Sequence, residues 1–333
     1  MPVHNGSVVL DRCLSAIQGS EGISWECIVV DDGSTDDSAA VARGYGATVV
    51  SAGHPPCGPA LARNLGAEVA SAPLLCFVDA DVVIRPDTLA KLVTELDRNS
   101  STTAVFGSYD ATPEAPGTLS QYRNLLHHFV HQTSHPDATT FWAGCGAIRR
   151  EAFLRLGGFD PSYTRPSIED IELGSRIRGA GGRIRLDRDI QVTHLKRWTF
   201  WGIVKTDIRD RALPWAELIR RTGELPNDLN LSNGSRASAL SIFALGGLLV
   251  VGFFHPSALL LAVLPLGVVV SCNRQLYRFF LRERGFLFLV RAVPMHWLYY
   301  AYSALVFGTS AVPDLARRFL RLRLATPPGR LAP

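Results

Sequence analysis

Leu74-Leu75-Cys76-Phe77-Val78-Asp79-Ala80-Asp81 is an apolar run that stops at two carboxylates one residue apart. A run of this length between polar residues reads as a buried strand. Two carboxylates at its end suit a hard divalent cation carried in with a diphosphate. Mg²⁺ and Mn²⁺ take oxygen ligands and share them between one or two carboxylates and phosphate oxygens. In isolation the triplet suits a solvated loop equally well, so its company decides.

Upstream, Ile28-Val29-Val30 runs straight into Asp31-Asp32-Gly33-Ser34, and Ala39-Ala40-Val41-Ala42 then looks helical. In an open α/β sheet, ligands bind beyond the carboxyl ends of the strands. Asp31 and Asp32 therefore sit where a nucleotide base or ribose is read, whereas Ser34 or Asp36 is better used as a helix cap. A further strand, Thr48-Val49-Val50, leads to Gly58-Pro59-Ala60 and a helix that carries Arg63 towards the same edge, within reach of phosphate.

The order of these pieces resembles the family 2 glycosyltransferases of the GT-A fold. It is carried by Pro2-Val3-His4-Asn5, Val30-Asp31-Asp32-Gly33-Ser34, Ala62-Arg63-Asn64-Leu65-Gly66 and Phe77-Val78-Asp79-Ala80-Asp81. Gly144-Cys145-Gly146-Ala147-Ile148-Arg149-Arg150, Gly157-Gly158-Phe159-Asp160 and Ile168-Glu169-Asp170-Ile171-Glu172-Leu173 continue it, over roughly residues 1 to 200. The resemblance implies an α/β fold with a Rossmann-like mixed sheet flanked by helices. It implies a UDP- or GDP-sugar donor held by Pro2, Val3, Asn5, Asp31, Asp32, Arg63 and Asp79. It also implies Mg²⁺ or Mn²⁺ at Asp81, Asp79 and His194, and an acceptor or diphosphate side built from Gly144, Gly146, Arg197 and Trp198. Members of the family begin with a full apolar strand, but here Met1 stands directly before Pro2. A late-assigned start or a truncated chain is expected, at a cost in stability; no signal peptide is expected.

Glu169 and Asp170 open a segment with the apolar spacing of a short helix. A helix N-terminus favours carboxylates there for electrostatic reasons alone. The resemblance gives Asp170 a chemical role, general base towards the acceptor hydroxyl in an inverting transfer, with Glu169 as its orienting neighbour. His194-Leu195-Lys196-Arg197-Trp198 is similar to the Gln-x-x-Arg-Trp motif of processive polysaccharide synthases, but has His194 in place of Gln. That departure disfavours a processive synthase, which stays an alternative beside a polyprenyl-phosphate glycosyltransferase and a non-catalytic nucleotide-sugar-binding scaffold subunit.

The last third is different in kind. No Asp, Glu, Lys or Arg occurs from Ala237 to Ser271. One span needs about 20 residues, so the stretch reads as two short helices, 237–254 and 256–271, turning at His255-Pro256. A third apolar segment, 286–310, is expected to span as well. Residues 198–235 read as amphipathic interfacial helices, with Trp201, Val204 and Ile208 on one face and Lys205, Arg209 and Arg211 between them, suited to an anionic headgroup layer. The organisation expected is therefore 1–197 catalytic, 198–235 interfacial, 236–310 membrane and 311–333 a basic tail.

The net charge is only +4, and hydrophobic residues make up 47% of the chain. The basic residues cluster beside apolar spans, which favours a lipid surface and a lipid- or polyprenyl-linked acceptor over nucleic acid. By the positive-inside rule the basic stretch after Ser271 is cytosolic, giving a multi-pass protein of the bacterial inner (plasma) membrane with a cytosolic catalytic domain. The six cysteines form no Cys-x-x-Cys pair and read as small core residues.

Overall fold

The computed structural model describes residues 1–223 and 232–324, the last of these, 311–324, as backbone. Part of the expected interfacial segment, 224–231, and the end of the basic tail, 325–333, lie outside the described residues.

Strands β1 (Pro2–Val3), β2 (Ile28–Asp31) and β3 (Thr48–Ser51) form a parallel sheet in that order. A second sheet holds β4 (Leu74–Val78), β5 (Val82–Val83), β6 (Thr102–Tyr109), β7 (Asp137–Ala138), β8 (Cys145–Arg149) and β9 (Arg183–His194). Its order is β4-β8-β6-β9-β5, with β7 also on β9, and only β6 and β9 run parallel. The mixed α/β character is as expected, but the sheet is in two pieces. β1 offers β4 no ladder: it is two residues long and one of them is Pro, which has no N–H to donate.

Alternation along the strands sorts the core into two layers. Val78, Val105 and Ala147 face Leu10, Leu14, Leu92 and Leu96. Their strand neighbours Phe77, Phe106 and Ile148 face Phe141, Phe153 and Phe159. Gly146 sits in register between Phe77 and Phe106. A Cβ there would lie 2.5 Å from the Trp142 carbonyl oxygen and 2.8 Å from the Phe141 ring, and one on Gly144 would lie 2.5 Å from the Trp142 indole. These glycines, assigned to the acceptor side from sequence, are required by packing. Gly146→Ala is expected to destabilise by about 1–3 kcal/mol through overpacking, seen as a lowered urea midpoint with an unchanged slope. Cys13 and Cys145 are core residues as expected, but Cys76 and Cys272 are exposed.

The apolar third folds as helices. Asn233–Phe254 has a mean hydropathy of 2.2 and is only 11% buried; among the described residues it is the one helix long and apolar enough to cross a membrane by itself. It ends at His255, and Pro256–Ala262 with Val263–Cys272 packs back against it. This second arm passes as a span only together with the next helix, across a 64° bend. The third expected span, 286–310, is not a separate candidate. It belongs to the helix Arg274–Leu324, broken at Gly285 (φ 80°). Leu276, Phe280, Phe288 and Ala292 of that helix are buried against Tyr122, Leu125 and Leu126 of helix Thr118–Thr133, so its inner face serves the α/β body.

Candidate active site

β2 and β4 each end at acidic residues, because their apolar bodies are buried and the first polar residues emerge at the strand ends. The two acidic motifs are used differently. Asp32 accepts hydrogen bonds from the backbone N–H of Cys57 (2.7 Å) and Gly58 (2.9 Å) and from Cys57 Sγ (3.0 Å). Gly58, at φ 92°, abuts the Thr164 backbone and precedes helix Pro59–Val69. Asp32 thus fixes the entry to that helix. Asp31 accepts from Ser34 N–H (3.0 Å). Asn5, at φ 52°, accepts from Thr35 N–H (2.8 Å), and Pro2 and Val3 pair with Val30 and Asp31. The N-cap of helix Ser38–Gly44 is Asp37 and not the expected Asp36 or Ser34; Asp36, one residue earlier, accepts from Ser38 N–H and from Ser7 N–H (both 3.0 Å), and Ser34 Oγ accepts from Asn5 N–H (3.0 Å).

Arg63 is the centre of the site. It is buried, and its guanidinium donates to Asp79 (2.7 Å) and to Glu169 (2.8 Å) while lying over the Phe159 ring (5.4 Å). The arginine expected to meet phosphate thus bridges two carboxylates. Burial opposes the charge of Arg63, yet Asp79 and Glu169 outweigh it and hold the guanidinium more firmly protonated. Burial also raises Asp79, against the pull of Arg63.

Asp81 turns the other way. Its carboxylate lies 3.4 Å from His194 Nε2, and β5 holds Val82 opposite His194. Burial works against the Asp81 charge, but the hydrogen bond and charge of His194, with Lys196 behind, keep its pKa below the usual range. His194 stacks on Tyr109 (centroids 4.3 Å apart, 9° between planes). Tyr109 in turn packs on Trp142 and His127, and His127 on His131. Sequence reasoning missed this aromatic floor. Its one signal was the spacing of His127 and His131, four apart and so on one helix face.

The expected metal set is divided by this arrangement: Asp79 goes to Arg63, Asp81 to His194. Among the described residues no three His, Cys, Asp or Glu side chains gather as a cage. One carboxylate and one imidazole still fit a cation whose remaining ligands are the oxygens of a diphosphate.

Asp170 stands on the first turn of helix Glu169–Gly179. It accepts from Ala143 N–H (3.1 Å) and Ile171 N–H (2.8 Å). Burial, and then the charge of Glu169, push its pKa up to about 7. Glu169 itself is buried and accepts from Arg63 and from Ser167 N–H (2.8 Å). Arg197 is exposed. Trp198 donates its backbone N–H to Ser120 (2.8 Å), and Lys196 (4.5 Å) and Arg123 (5.6 Å) lie over its ring.

The interfacial helix departs from its expected face. Between Phe200–Lys205 and Leu213–Thr222 the backbone is π-helical over Thr206–Ala212. This turns Asp207 inward, where it takes both guanidinium nitrogens of Arg123 and the Tyr302 hydroxyl. Trp201 points out, 75% exposed.

An Asp-x-Asp, a Glu-Asp helix start and an arginine linking the two therefore meet beside a mixed α/β sheet. Residues 1–157 match the family described as glycosyl transferase family 2. An uncharacterized glycosyltransferase of Mycobacterium bovis is 31% identical over 179 residues, covering 52% of this chain and 77% of that protein. The chain belongs to glycosyl transferase family 2. The validoxylamine A glucosyltransferase of Streptomyces hygroscopicus subsp. limoneus is 27% identical over 234 residues, 57% of this chain and 49% of that protein. The chain thus spans about half the length of that relative. The mannosyltransferase PcManGT of Pyrobaculum calidifontis, solved with GDP-Man and Mn²⁺, shares the fold at a TM-score of 0.58 and 19% identity, over 92% of this chain and 85% of that one.

Proposed function

We propose that the chain transfers a sugar, with inversion, from a UDP- or GDP-sugar to a lipid-linked or membrane-proximal acceptor. The observation that carries this reading is the Arg63 bridge, which ties Asp79 of the donor motif to Glu169 of the acceptor helix and so makes them one site. Asp170 is the general base: a carboxyl poised near 7 is half-ionised at neutral pH and strong enough to take a hydroxyl proton. Glu169 orients it, and Asp31 and Asp32 lie on the base side of the donor. Asp81 and His194 would hold Mg²⁺ or Mn²⁺ with the diphosphate. When bound, the cation supplies Lewis-acid charge to the departing nucleoside diphosphate. The GDP-Man and Mn²⁺ held by the Pyrobaculum enzyme agree with that pairing.

The catalytic unit, 1–197, is read as cytosolic and held to a bacterial inner membrane by 198–235 and 236–310. Support comes from the exposed apolar side of Asn233–Phe254 and the exposed Trp201. The test uses membranes carrying the full chain and a panel of UDP- and GDP-sugars, with and without EDTA. Nucleoside diphosphate release that EDTA leaves untouched for every donor would sink the metal-assisted reading.

Asp170 also sets a pH dependence. The base must be ionised, so kcat/KM is expected to rise about tenfold per pH unit up to about 7 and then level off. A profile flat from about pH 5.5 to 8 would remove Asp170 from this role.

A further inference from the structure

The π-helical stretch Thr206–Ala212 places a cation that no carboxylate answers among the described residues. Carboxylates do answer its neighbours: Arg63 holds Asp79 and Glu169, Arg123 holds Asp207, Arg176 holds Glu172 and Arg209 holds Asp210. Among the described residues Arg211 makes no ion pair and its side chain no hydrogen bond, and it is partly buried. Its position is fixed on two sides. The preceding Asp210 carbonyl accepts from Ser167 Oγ (2.7 Å), two residues before Glu169. One turn back, Asp207 is locked to Arg123 and Tyr302.

Around Arg211 lie groups of the site itself. Its charge acts on Asp170, Tyr109, His127 and His131. Asp170 does not pair with it; its two oxygens take Ala143 and Ile171 N–H. His127 Nδ1 is buried there without a partner among the described residues. The Arg211 nitrogens are not among the buried polar atoms that lack a partner, so they stay open to solvent or to a ligand, and π-turns recur at functional sites. Guanidinium forks match phosphate oxygens two at a time.

We propose that Arg211 is a substrate-binding residue that takes the phosphate oxygens of a ligand lying next to Asp170. This rests on the glycosyltransferase reading above and deepens it. The shared chemistry is a phosphate, which reaches this place either as the diphosphate of the donor or as the phosphate of a phosphorylated lipid acceptor.

The test measures binding, not turnover, with the full chain in nanodiscs. Wild type, Arg211→Gln and Arg211→Lys are titrated with UDP and GDP in Mg²⁺, with the bare nucleosides, and with nanodisc lipid containing polyprenyl monophosphate. Arg211→Gln is expected to lose at least about tenfold in affinity for the nucleoside diphosphates if the phosphate is the donor's, or for polyprenyl monophosphate if it is the acceptor's. Nucleoside affinity stays unchanged, and Arg211→Lys falls between. The melting temperature of Arg211→Gln should stay close to wild type, since no ion pair or side-chain hydrogen bond among the described residues is lost.

Arg211→Gln binding every phosphate probe within about twofold of wild type overturns the assignment. If the Gln variant does not fold, Arg211→Lys unchanged in every arm overturns it equally. Wild type that transfers sugar while the Arg211 variants bind normally leaves the glycosyltransferase reading standing. Wild type that binds no phosphate probe overturns both.

Discussion

Asp170→Asn is expected to lower sugar transfer by about 10²–10⁴-fold, the usual contribution of a general base, while making the protein more stable above pH 7. The two effects share one cause. Burial and Glu169 raise the Asp170 pKa from its ordinary value to about 7, so the native state keeps the proton that the unfolded chain loses near pH 4. Between those values the native state binds more protons, and stability falls as pH rises. Above pH 7 the folded enzyme carries the full penalty, on the order of a few kcal/mol and reduced by the partial exposure of the group. Asn imitates the protonated carboxyl and escapes it, and its amide oxygen still accepts from Ala143 N–H. The melting difference between variant and wild type should therefore be larger at pH 8 than at pH 5. Should Asp170→Asn melt lower than wild type at pH 8 and recover at pH 5, the raised pKa is wrong in sign.

Much of this architecture was legible because each motif lies where a buried strand or a helix begins or ends. Val78 to Asp79 and Val30 to Asp31 are changes from apolar to acidic that alternation and burial alone explain. Asp170 was legible because a carboxylate pair opens an amphipathic helix. The hidden features depended on register. Period 3.6 places Trp201, Val204 and Ile208 together as the apolar face of the interfacial helix. The seven-residue π-turn rotates the helix beyond Lys205, so the buried positions are Asp207 and Asp210. No count of hydrophobic residues finds a helix whose inner face is ionic. The bridge at Arg63 was hidden for a related reason: an arginine on a helix that faces the sheet edge suits phosphate, and only the fold shows that Asp79 and Glu169, far apart in sequence, meet on it. The packing of the third apolar segment was not legible, because Phe288, Ala292 and Tyr300 look alike whether they face lipid or a protein helix.

Arg63→Met should be the most destabilising single substitution at the site, by about 3–5 kcal/mol, since it leaves two carboxylates in a desolvated place without their cation. Side-chain volume is nearly kept, so the loss is electrostatic and not a cavity effect. Glu169 is buried and Asp79 about a third exposed; the burden therefore falls mainly on Glu169. That gives the prediction its internal control. Glu169→Gln in the Arg63→Met background removes the worse of the two charges and should recover a large part of the stability, although each change alone is destabilising. The urea midpoints of the four proteins form a double-mutant cycle, and its coupling energy should exceed about 1 kcal/mol. The functional consequence differs from that of Asp170→Asn. Without Arg63, Asp79 is free of its tether to the acceptor helix, so donor binding and Asp170 reactivity should fall together. An Arg63→Met enzyme as stable as wild type that loses only donor affinity would return Arg63 to the phosphate-binding role the sequence first suggested.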